Sequence, residues 1–174
     1  MSSTADVSRQ LKRSRADLES AVTTLGTALR ALSEQGISAS PATIASVQAT
    51  QTRWDDIDRE FGLLSSAQVA ALQGSTSRQL AYDQRRAGRI LGVRRGARRV
   101  VYPRFQFDAD GAPRPLIAEI ASLAAAAGWS AGDVLLWFVA PTTYLPGDAR
   151  PVDLLASEPG RVTQAAQARF NEQW

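Results

Sequence analysis

The sequence contains no cysteine and no histidine, and Lys12 is its only lysine. Without cysteine there are no disulfides, no thiol nucleophile and no thiolate metal site. Without histidine the commonest general base and the commonest nitrogen ligand are missing too. The acids are scattered, without the spacing of a carboxylate metal site. No apolar run reaches the ~18 residues needed to cross a bilayer. The polar stretch from Met1 to Arg15 also lacks the apolar centre of a secretory signal. These absences lead us to expect a cytoplasmic protein that is not an enzyme, uses no cofactor, holds no metal and contacts no membrane.

What the chain does have is arginine, concentrated in one place. Nine arginines (78, 85, 86, 89, 94, 95, 98, 99 and 104) face a single acid, Asp83, a charge of +8 counted as nine minus one. The whole 174-residue chain carries only +3, so the remainder is net acidic. Guanidinium groups offer a planar fork of donors that matches phosphate oxygens and guanine edges. A basic block in an otherwise acidic chain is the footprint of a nucleic-acid contact, with a solvated face or an acidic protein partner as alternatives. An apolar fraction of 44% is enough for a real core.

Patterning divides the chain into three. Leu11, Leu18, Leu25 and Leu32 recur every seven residues with Val22 and Leu29 between them, which predicts a helix from about Asp6 to Gln35, stopped by Gly36. Ser40 and Pro41 open a second helix carrying Ile44, Val47, Gln51, Trp54, Ile57 and Phe61. Residues 1–61 are thus expected to form a helical hairpin. Its seams pack on each other or against a second copy, the latter giving a homo-oligomer. Asp55, Asp56, Asp58 and Glu60 make an acidic cluster that is either a solvated face or a counter-charge to the arginines.

In residues 62–104, Ser65 and Gln68 form a capping box before a short helix with Val69, Ala70 and Leu72 inward. Gly74 ends it, Ser75, Thr76 or Ser77 caps a second helix to about Ala87, and Gly88 closes that one. The segments Ile90–Arg95 and Arg98–Tyr102, turning at Gly96, predict a small β-hairpin. The order is that of a winged helix-turn-helix on double-stranded DNA, its second helix in the major groove and its wing on phosphates. Arg78, Gln79 and Tyr82 are the expected base contacts, and Arg85, Arg86, Arg94, Arg95, Arg98 and Arg99 the phosphate contacts. Arg89 completes the DNA-binding set. The segments Ala67–Leu72, Ser77–Gln79, Tyr82 and Arg85–Ile90 resemble an excisionase-type (MerR-like) winged helix-turn-helix, with Val93–Gly96 and Pro103 similar to its wing. The turn Gln73–Ser77 is one residue longer than is usual in that family. Asp83 stands where a basic or polar residue is commoner.

Residues 105–174 are expected to be a helical domain. A helix from about Leu116 to Ala127 turns Ile117, Ile120, Leu123 and Ala124 inward. Ser130 and Asp133 cap a second helix whose run Val134–Val139, Trp137 included, predicts burial all round. Pro103–Phe107, Trp137, Pro141–Leu145, Arg150–Leu155 and Val162–Phe170 together resemble the toxin-binding domain of the Xre/MbcA/ParS antitoxin family. That resemblance implies a type II antitoxin that neutralises a RES-type, NAD-consuming toxin and represses its own operon. Tyr144, Leu145, Leu154, Phe170 and Trp174 would be its partner-binding anchors. The alternative is an architectural or regulatory DNA-binding protein whose C-terminal domain only oligomerises. Either way the expected fold is mostly α.

Overall fold

The computed structural model describes residues 41–95 and 99–171. The expected helix over 6–35, its stop at Gly36, the cap at Ser40, and Arg98 and Trp174 lie outside the described residues. The fold is mostly α-helical with a small antiparallel sheet, as the sequence predicts. Its elements run α1 (Pro41–Phe61), β1 (Leu63–Leu64), α2 (Ser66–Leu72), α3 (Gln79–Arg86), β2 (Val93–Arg95) and β3 (Arg99–Pro103). They continue through α4 (Pro115–Ala126), α5 (Ala131–Val139) and α6 (Pro159–Phe170), with short 3-10 turns at Arg104–Gln106, Pro146–Asp148 and Pro151–Leu154. The chain divides into two compact units, Met1–Gln51 and Thr52–Trp174. In the first, Val47 is exposed.

The second unit is organised around its sheet, whose strand order is β1-β3-β2. Leu63 pairs with Pro103 and Leu64 with Tyr102, while Val93, Arg94 and Arg95 pair with Val101, Val100 and Arg99. Alternation along the strands sends neighbouring side chains to opposite faces. Leu64, Val100 and Tyr102 join Val69, Leu72, Ala81, Ile90 and Phe107 in the core beneath the helix-turn-helix. Leu63 and Val93 join a larger core built on α4, α5 and α6. The sheet is thus a wall shared by two cores. The same division recurs beside it, where Ile90 enters the first core and Leu91 the second, and Phe107 the first and Phe105 the second.

The lower half of α1 packs onto the elements that follow it. Trp54 and Ile57 are buried in the larger core, and the Phe61 ring meets Phe105 edge-on at 5.4 Å. The stripe 54, 57, 61 therefore finds its apolar partner downstream in the chain, and these residues belong to the unit that follows. Arg150 ties the end of α1 down. Its guanidinium donates to Glu60 at 2.7 and 2.8 Å and to Asp153 at 2.7 and 2.9 Å. Those bonds hold Arg150 more firmly protonated than usual and pull the Asp153 carboxyl below its ordinary range.

Both sequence-predicted capping boxes are present, Ser65 with Gln68 on α2 and Ser130 with Asp133 on α5. Helix α5 buries Val134, Leu135, Trp137 and Phe138. Leu136 and Val139 are only half-buried, because an open groove shared with Ile57 and the charged side chains of α1 runs beside them. The predicted all-round burial therefore holds on one side only.

Candidate nucleic-acid interface

Helix α3 has two sharply different faces. Ala81 and Gln84 are buried, while Gln79, Tyr82, Asp83, Arg85 and Arg86 are exposed. Helical spacing sets Gln79, Tyr82 and Arg86 along the middle of the outer face, with Arg85 at one edge and Asp83 at the other. Tyr82 is 44% exposed, unusual for so large a ring, and the Arg85 guanidinium lies over it, 5.7 Å from its centre. Gln79 Nε2 donates to Asp83 Oδ1 at 3.1 Å, one turn along.

The inner face fixes the angle between the two helices. Gln73, just after α2, and the buried Gln84 exchange amide hydrogen bonds of 3.1 and 2.6 Å. This reciprocal pair satisfies two amides that would otherwise be desolvated beside an apolar core. The caps expected at Ser75, Thr76 or Ser77 do not form over α3. Arg78 is the N-cap, with no side-chain cap bond, and Ser75 Oγ instead accepts from the Ser77 amide within the turn.

The wing meets α3 through Gly92. A Cβ there would come within 2.7 Å of Tyr102 Cε1 and 3.1 Å of Arg85 Cδ, so a side chain would push Arg85 away. The register then sorts the wing arginines. Arg94 shares a sheet face with Val100 and Tyr102, the face turned to the helix-turn-helix. Arg95 and Arg99 sit opposite each other on the other face. Like charges so placed repel, and Asp55 of α1 relieves them by accepting from Arg95 at 2.8 Å. Arg95 was expected among the phosphate contacts; its guanidinium is engaged within its own chain. Arg104 is likewise turned inward, donating to the carbonyls of Phe107 and Asp108. Arg78, Arg85, Arg86, Arg89, Arg94 and Arg99 remain exposed.

Gln106, which sequence patterning did not single out, is fully buried between the two cores. Its Oε1 accepts from the Leu91 amide at 2.6 Å, and its Nε2 donates to the Leu91 and Pro103 carbonyls at 2.9 and 3.2 Å. It thereby satisfies the backbone at Leu91, between α3 and the wing. A polar residue between two phenylalanines, Phe105 and Phe107, is the one signal of this in the sequence.

The expected partner anchors separate. Tyr144 is exposed and Leu154 half-buried. Leu145 and Phe170 are buried in the larger core. The Phe170 ring packs 4.6 Å from Trp129 and 5.3 Å from Trp137, so the last turn of α6 folds back on its own domain. Trp137 is core, as expected. Among the described residues no group of acids could hold a metal ion, and no helix is long and apolar enough to cross a membrane.

No family model and no curated protein matches the chain. The NMR structure of Rv2175c is similar to it, with a TM-score of 0.57 at 25% sequence identity, across 64% of this chain and 82% of the other.

Proposed function

We propose that this protein binds duplex DNA as a transcriptional regulator, inserting α3 into the major groove and laying the wing on an adjacent phosphate run. The observation that carries the reading is the face of α3. Its inner residues are locked by Ala81 and the Gln73–Gln84 pair, while Arg78, Gln79, Tyr82, Arg85 and Arg86 stand in solvent. Arg94 and Arg99 extend the charge along the wing. Phosphate neutralisation by these groups makes affinity fall steeply with salt, each contact adding about 0.9 to the slope of log K against log salt. Fluorescence anisotropy on labelled duplex at several salt concentrations tests this. The paired change Arg85→Ala and Arg86→Ala should flatten the slope by roughly two units. An unchanged slope and affinity would exclude α3 from the interface.

A narrower reading makes the protein a type II antitoxin that represses its own operon and neutralises a RES-type toxin through residues 105–174. It rests on the family resemblance of those residues. Burial of Leu145 and Phe170 favours the broader regulatory reading, in which this region buttresses the helix-turn-helix. Co-expression with a RES-type toxin encoded beside the gene distinguishes them, since only an antitoxin restores growth and cellular NAD. The reading assigns no catalytic step to the chain. If the leucine seam of residues 11–32 pairs two copies, the DNA site is a repeat with centres about one helical turn apart or a multiple of that.

A further inference from the structure

We infer that the Gln79–Asp83 pair is a base-reading element that selects cytosine on one side of the groove-facing helix. The inference rests on the DNA-binding reading. Asp83 is the only acid in the stretch of nine arginines, and it is exposed on the outer half of α3 rather than turned inward. Among the described residues it is paired with none of the neighbouring arginines; its Oδ1 accepts from Gln79 Nε2 instead. A carboxylate there repels the phosphates that the arginines attract, so it weakens non-specific binding. It gains energy only where DNA presents a donor. In the major groove the donors are the exocyclic amino groups of cytosine N4 and adenine N6. Asp83 lies at the edge of the face away from Arg85, and so away from the wing that Arg85 touches through Gly92. Its position favours base edges over the phosphate run followed by the wing.

The hydrogen bond from Gln79 uses one amide donor and one carboxylate oxygen. Asp83 Oδ2 and Gln79 Oε1 are then left as two acceptors fixed one helical turn apart. An acceptor-only carboxylate suits the single amino group of cytosine, whereas adenine also presents the N7 acceptor, which a carboxylate repels. The acid thus acts as a filter: it lowers affinity for most sequences and spares those with cytosine at one position.

Selection of bound duplexes from a randomised library, with full-length wild type and Asp83→Ala, tests this. Wild type should enrich cytosine at one position by about fivefold or more over the other bases. Asp83→Ala should lose that enrichment while binding random duplex more tightly than wild type, and Gln79→Ala should blur the same position. Circular dichroism should be unchanged, because both side chains are exposed. Retained cytosine enrichment in Asp83→Ala overturns the inference, as does wild type that binds duplex with no sequence preference; in both cases DNA binding itself stands. Wild type that binds no duplex at all removes the DNA-binding reading, and this one with it.

Discussion

Asp55 and Arg95, forty residues apart in the sequence, form a 2.8 Å ion pair on the sheet face that looks away from the helix-turn-helix. The carboxylate holds a wing arginine that would otherwise be available to phosphate. Asp55→Asn should therefore release Arg95 and steepen the salt dependence of DNA binding by about one unit. Stability should change by less than about 1 kcal/mol, since exposed pairs contribute little. Anisotropy and urea melts read both quantities, and an unaltered salt slope would show that Arg95 never reaches the duplex.

Gln106→Leu should cost about 3 kcal/mol. It leaves the Leu91 amide and carbonyl buried without partners, and each such group carries a desolvation penalty of roughly 1–3 kcal/mol. Urea denaturation measures the loss. A variant within about 0.5 kcal/mol of wild type would mean that water or a shifted backbone replaces the amide.

Acid should selectively weaken the Arg150 clamp. The Asp153 carboxyl titrates below its ordinary value of 3.8 in the folded protein. A depressed folded-state value means that the stabilisation is fully present above the unfolded value and is lost as pH falls through the folded one. Wild type and Asp153→Asn should thus differ in thermal stability near neutral pH and converge at pH values below 3.8. Parallel curves across that range would remove the carboxylate from the clamp.

Phe170→Ala and Leu145→Ala should each destabilise the protein by about 2–5 kcal/mol, as truncations in a packed core do. Tyr144→Ala should leave stability within about 0.5 kcal/mol, as befits an exposed side chain. Thermal melts make the comparison. If Tyr144→Ala alone abolishes toxin rescue with the melt unchanged, the antitoxin reading gains its contact residue.

What was readable in the sequence was local. Ser65 with Gln68 and Ser130 with Asp133 are four-residue patterns whose hydrogen bonds close within one turn, so the capping boxes and the helices they open follow from the residues alone. The nine arginines mark the candidate interface, but not which of them are available. That depended on Asp55 and on the strand register, both set by tertiary contacts. The adjacent pairs Leu63–Leu64 and Ile90–Leu91 look like short apolar runs, and nothing in a run reveals that its members serve different cores. For a loop position such as Leu145 and a helix end such as Phe170 the sequence leaves packing and exposure equally open. Trp129 and Trp137 supply the pocket that takes the Phe170 ring, a tertiary contact that no local pattern contains.

The shared wall has a mechanical meaning. Strand β3 is shielded on one side by the helix-turn-helix core and on the other by the core of α4, α5 and α6. Its inner amides reach water only when both layers come apart, so their hydrogen exchange reports global opening rather than local fraying. The unit from residue 52 onward should therefore melt in one calorimetric transition, with no stage at which the helix-turn-helix survives its support. A fragment that stops at Pro103 would expose Leu63, Leu91 and Val93 together. Such a fragment should aggregate.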